Sequence, residues 1–131
     1  MSAGASLGAL QDKLQLTSQE YQKLQLELSA VVDARQKLDA QLQENEAVKK
    51  EFASLSPNNV VYKMIGPVLV PQDQTEAKGN VDKRLEFIQS DIKRVEAQLK
   101  DLGEKSERKK MEVRHTMSDN KATFQTALQG R

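Results

Sequence analysis

Val60-Val61-Tyr62-Lys63-Met64-Ile65-Gly66-Pro67-Val68-Leu69-Val70-Pro71 is the stretch on which the fold turns. Residues 60–65 and 68–70 are rich in strand formers and are joined by Gly66-Pro67. Gly66 fits the first central position of a two-residue type II′ turn, where φ must be positive. Pro71 is expected to close the second strand. Val60, Tyr62 and Met64 point one way, Val61 and Ile65 the other, so both faces are apolar. An isolated two-stranded hairpin is marginal in water, and an uncovered apolar edge aggregates. The residues therefore predict obligate assembly through Val60, Val61, Tyr62, Met64, Ile65, Val68, Leu69 and Val70.

Outward from the hairpin, glycine and proline punctuate the chain. All three prolines fall between Ser56 and Gly79, whereas residues 9–56 contain neither Pro nor Gly. The direct reading is a first helix over about 7–55, a hairpin region over 56–72 and a second helix over about 73–128, with flexible ends, in one domain of residues 1–131. Stepping 3-4-3-4 from Leu7 to Phe52 gives fourteen slots, ten of them apolar, which is a coiled-coil seam. Its polar slots are Thr17, Arg35, Asn45 and Lys49, and near its end it slides toward Val48 and Leu55 like a stutter. In the second helix Val81, Leu85, Ile88, Ile92, Val95, Leu99 and Leu102 fill consecutive slots. Beyond Gly103 the seam decays to Ser106, Lys109 and Val113, then loosely to Met117, Phe124 and Leu128.

Asp73-Gln-Thr-Glu76 reads as a capping box, with Asp73 the N-cap and Asn80 its rival. Asp33/Lys37, Glu46/Lys50, Glu96/Lys100 and Glu104/Arg108 are spaced as helix-supporting pairs. The fold class is mainly α: a long antiparallel two-helix coiled coil with one central β-hairpin. Pairing Leu55 with Val81 makes facing residue numbers sum to about 136, which brings Tyr21 near His115.

Charge and composition bound the function. Lys plus Arg number 20 and Asp plus Glu 19, a net charge of +1. No segment supplies the basic excess that nucleic-acid binding uses. No apolar run approaches the roughly 18–20 residues of a membrane span, and the N-terminus lacks the basic and apolar regions of a signal peptide. Without cysteine there is no disulfide or thiolate, and the lone His115 has no second imidazole to share a metal. No glycine-rich phosphate loop or paired catalytic carboxylate stands out. The expectation is a cytoplasmic, non-enzymatic protein without metal or cofactor. Leu16 and Leu26 lie off the seam, and Leu7, Leu10, Leu14, Leu16, Val113, Met117, Phe124 and Leu128 gather at the end far from the hairpin. An apolar, fraying tip of this kind suits transient capture of another protein's hydrophobic segments.

Four stretches carry a resemblance: Tyr21-Gln-Lys-Leu-Gln25, Ala34-Arg-Gln-Lys-Leu-Asp-Ala-Gln-Leu-Gln-Glu-Asn45, Val61-Tyr-Lys-Met-Ile-Gly-Pro-Val-Leu-Val-Pro71 and Glu76-Ala-Lys-Gly-Asn-Val-Asp-Lys-Arg-Leu-Glu-Phe-Ile88. They resemble a eukaryotic β-type prefoldin subunit, over residues 20–102. Toward both ends the likeness fades, and Gly103 stands in a helix that is usually uninterrupted there. The resemblance implies a hetero-hexamer of two α-type and four β-type subunits, whose hairpins join an intersubunit β-barrel. It also implies an ATP-independent co-chaperone that binds unfolded proteins of the actin and tubulin type and delivers them to the cytosolic chaperonin. A structural coiled-coil tether with no holding activity is the competing expectation, against which the apolar hairpin argues.

Overall fold

The computed structural model describes residues 3–129; the expected flexibility at positions 1–2 and 130–131 lies outside them. Helix α1 runs over Ala3–Ala53, strands β1 and β2 over Val61–Ile65 and Val68–Gln72, and helix α2 over Gln74–Gln129. Two long helices around one antiparallel hairpin is the expected mainly α fold. The chain packs as two units: Asp33–Glu96, which holds the hairpin, and Met1–Val32 with Ala97–Arg131, the terminal unit.

The helix ends follow from local chemistry. After α1 the amides of Ser54 and Leu55 bond three residues back, to Glu51 and Phe52, so the last turn tightens ahead of Pro57. Helix α2 opens where the capping residue predicts: the Glu76 amide donates to Asp73 Oδ2 at 3.1 Å. Asn80, the rival cap, lies inside the helix, and Gly103 does not interrupt it.

In the hairpin Ile65 faces Val68 and Tyr62 faces Pro71, and Gly66 has φ 60°, as the two-residue turn requires. Pro71 does not close β2, which continues to Gln72 opposite Val61. Counting from the turn, Pro71 falls at a pair whose amides point away from the partner strand, so its missing N–H removes no ladder bond.

Within the hairpin unit the core comes from one face of α2: Ala77, Val81, Leu85, Ile88, Ile92 and Val95 are all buried. Leu38, Leu42 and Phe52 of α1 are half-buried, while Lys49 stays exposed and forms an ion pair with Asp82 at 3.1 Å. Arg35 reaches Glu96 at 3.1 Å and Asp39 at 3.5 Å, so this polar seam position makes specific contacts.

In the terminal unit the apolar side belongs to α1, with Leu7, Leu10, Leu14, Tyr21, Leu24, Leu28 and Val31 half-buried along the expected seam. The α2 side departs from expectation. Past Ser106, Lys109 and Val113 the inward residues are Thr116, Asn120, Thr123 and Ala127, not Met117, Phe124 and Leu128, which are exposed. The 3-4 step from Val113 leads to Thr116, and a rotation of one residue to reach Met117 would break phase with the preceding turns. The two buried threonines bond within their own helix, Thr17 Oγ1 donating to the Lys13 carbonyl at 2.7 Å and Thr116 Oγ1 to the Glu112 carbonyl at 2.8 Å, whereas the buried Ser106 Oγ accepts from Gln25 Nε2 of the other helix.

The register also differs from the expected sum of about 136. In the hairpin unit residues 35 and 96, and 49 and 82, pair; in the terminal unit residues 20 and 109, and 25 and 106, pair. These sums are 129–131, so Tyr21 lies level with Lys109 rather than His115. The expected value started α2 at Val81 and overlooked the two turns from Gln74 that also pack, including buried Ala77. None of the four predicted pairs on the outer faces forms an ion pair among the described residues; Asp101/Lys105 does, at 3.1 Å.

Candidate functional site

The hairpin surface is the larger candidate. Its base is fixed by the Ser56–Asn59 turn, in which the Ser56 amide donates to Asn59 Oδ1 at 2.7 Å and the Asn59 amide to the Ser56 carbonyl at 3.0 Å. Gln74 Nε2 then donates to the carbonyls of both Ser56 and Asn59, at 2.8 and 2.6 Å, which ties the start of α2 to the entry of β1. Beyond that base the hairpin stands bare. Val60, Tyr62, Met64, Ile65, Val68, Leu69 and Val70 are exposed, Met64 to 70% and Leu69 to 60%. Val61 and its partner Gln72 are half-buried, in a groove they share with Phe52, Ala77 and Val81.

Pairing settles the two faces. Tyr62 and Pro71 stand opposite each other, as do Met64 and Leu69, on one face; Val61/Gln72, Lys63/Val70 and Ile65/Val68 form the other. Both faces carry exposed aliphatic side chains, Met64 and Leu69 on one and Ile65, Val68 and Val70 on the other, while Val61, alone among the aliphatics of the second face, packs toward the helices. Burying a residue of this size is worth ~1.5–3 kcal/mol, so a partner covering both faces would gain far more than a rim of surface charges supplies.

The terminal unit holds the second candidate. A groove of about 280 Å³ is lined by Leu7, Gln11 and Leu14 of α1 and by Met117, Asn120, Lys121 and Phe124 of α2. It therefore brings together four of the residues that the sequence placed at the apolar tip. Leu10 and Val113 are half-buried in the seam, while Leu16 and Leu128 are exposed, at 58% and 54%. The groove exists because α1 projects leucines where α2 presents small or polar Thr116, Asn120 and Thr123, so the two helices do not fill the space between them.

Asn120 was not anticipated as a site residue. Its Oδ1 atom is buried and lacks a hydrogen-bond partner, an arrangement that costs free energy until a donor arrives. Its 3-4 spacing after Val113 was the available signal, hidden by the more apolar Met117 beside it. Phe87, 71% exposed on the outer face of α2, was also missed.

One flank of the terminal unit is charged. Lys109 Nζ contacts Glu20 at 2.6 Å and Glu112 at 3.1 Å, and hydrogen bonds to Glu20 first and then Glu112 hold its ammonium above the ordinary lysine range. His115 is largely exposed and meets Asp119 at 3.4 Å. Among the described residues no group of three metal-ligating side chains comes together, and no helix is long and apolar enough to cross a membrane.

Comparison with known proteins gives a consistent picture. Residues 11–128 match the family described as prefoldin subunit. Prefoldin subunit 6 of Bos taurus is 48% identical over 118 residues, which cover 90% of this chain and 88% of that protein. Prefoldin subunit 6 of Saccharomyces cerevisiae is 49% identical over 94 residues, 72% of this chain and 82% of the yeast protein. Among solved structures, the prefoldin beta subunit from Thermococcus strain KS-1 is similar with a TM-score of 0.73 and 25% identity, over 79% of this chain and 90% of that one.

Proposed function

The chain belongs to the prefoldin subunit family, and on that premise we propose that it serves as a β-type subunit of an ATP-independent, non-enzymatic holding chaperone. In this reading the hairpin joins a β-barrel shared with other α- and β-type subunits of a hetero-hexamer. The terminal units of the assembled chains bind unfolded or nascent proteins, of the actin and tubulin type, and deliver them to the cytosolic chaperonin. The setting is cytoplasmic.

The observation that carries the reading is the hairpin with two bare apolar faces, Met64 and Leu69 on one and Ile65 and Val68 on the other. A tether needs the heptads but has no use for such an insert. The terminal groove supports the holding role, because a shallow apolar cleft edged by methionine and leucine adapts to many sequences. Single weak contacts gain strength when several copies act on one client.

The test is the double substitution Val61→Lys and Ile65→Lys. It places two charges on the face of the hairpin that the barrel would bury, at a cost that well-formed helices cannot offset. The expected result is loss of co-elution with the partner subunits and loss of protection of a denatured client without nucleotide, while helical circular dichroism is retained. Continued co-elution would remove the barrel assignment. A wild-type assembly that gives no protection would leave the tether.

A further inference from the structure

The terminal unit has two unlike flanks. On one, the charges are paired: Lys109 lies between Glu20 and Glu112, and Lys105 meets Asp101. On the other, Lys110, Arg114, Met117, Lys121, Phe124 and Leu128 follow one another at 4-3-4-3-4 spacing and so share a face of α2. Met117, Phe124 and Leu128 are exposed to 55%, 50% and 54%. None of the three cations between them forms an ion pair among the described residues.

This strip borders the groove, since Met117, Lys121 and Phe124 belong to both. Across the groove α1 contributes Gln11 and two leucines, with no carboxylate to neutralise the cations. Only Glu107, one step before Lys110, puts a negative charge on the stripe. Asn120 lines the groove as well, so its floor is not wholly apolar. Apolar side chains and unpaired cations thus lie within one strip, and each asks for a different part of the same ligand.

We propose that this strip takes polypeptide segments in which apolar residues alternate with carboxylates, in preference to neutral or cationic segments of equal hydrophobicity. The inference rests on the holding role and adds the class of client sequence to it. The apolar residues of the segment enter the groove and cover Met117 and Phe124, and its carboxylates meet Lys110, Arg114 and Lys121. Exposed ion pairs are individually weak, so the charge preference is graded and sensitive to salt, whereas the apolar contact persists.

The experiment uses the full-length chain in its co-purified assembly and three fluorescein-labelled peptides, read by anisotropy. The peptides share length and leucine and phenylalanine positions and carry Glu, Gln or Lys between them. The expected order is Glu over Gln over Lys, with Glu about tenfold tighter than Gln, shared over three exposed pairs. That advantage should shrink toward about 1 M salt, where the screening length falls to about 3 Å. A chain with Lys110→Glu, Arg114→Glu and Lys121→Glu should reverse the order; the Gln triple variant, which adds no repulsion, should abolish it if the first fails to assemble. Equal affinity for the three peptides, or a preference for Glu that survives the substitutions, overturns the proposal and leaves the holding role intact. Failure of all three peptides to bind, with no protection of a denatured client, overturns both.

Discussion

The two units bury their seams in opposite ways. In the hairpin unit α2 supplies an unbroken apolar face from Ala77 to Val95, while α1 brings Arg35, Asn45 and Lys49 to the seam. In the terminal unit α1 carries the leucines, and α2 answers with Ser106, Lys109, Thr116 and Asn120. Each helix is strong where the other is weak. The buried aliphatics of the hairpin unit give it a continuous core beside the exposed apolar hairpin. The polar layers of the terminal unit leave half-covered leucines and a groove. A tightly filled seam exposes little apolar surface, whereas a loosely filled one leaves side chains uncovered and opens more readily.

The contrast fails most visibly if its core can be emptied without cost. Ile88→Ala is expected to destabilise the chain by roughly 2–4 kcal/mol, since a buried aliphatic leaves a cavity when truncated. Chemical denaturation followed by far-UV circular dichroism measures this. A loss below about 1 kcal/mol would mean that the hairpin unit is no better packed than the other.

Filling the weak seam should do the opposite. Asn120→Leu removes a buried acceptor without a partner and restores an apolar knob, so the terminal unit should gain about 1 kcal/mol. Amide hydrogen exchange in the flanking turns of α2 reads the gain locally. Reduced protection would instead assign Asn120 a part in fixing the register.

The smallest expected effect concerns Lys109. Its folded pKa is raised above the unfolded value of about 10.4, so its pairing contributes fully below that pH and is lost as pH rises through the folded value. Against a Lys109→Met variant, the wild type should lose a few tenths of a kcal/mol above about pH 10, consistent with a partly exposed pair. Thermal melts of the two proteins across that range give the difference. A constant difference would show that the ammonium adds nothing to the terminal unit.

Local signals carried much of this molecule. Proline clustering, the glycine at the turn, the Asp73 cap and the 3-4 repeats are properties of neighbours in the chain, and they specify two helices and a hairpin before any tertiary contact exists. The exposed apolar hairpin was legible for the same reason, because alternation along a strand puts side chains on both faces, and apolar residues fill both. The register was a different matter. A heptad seam slipped by one repeat meets nearly the same kinds of residue, so a sum near 136 and the observed 129–131 look alike on the helices. The choice rests on contacts that span the chain: Arg35 with Glu96, Lys49 with Asp82 and Glu20 with Lys109. The inward face of the last turns was likewise decided in three dimensions. Hydrophobicity favours Met117 and Phe124, but a continuous helix whose phase is already set at Ser106 and Val113 must turn Thr116 and Asn120 inward. That rotation leaves the methionine and phenylalanine on the surface, beside a groove that neither helix forms alone.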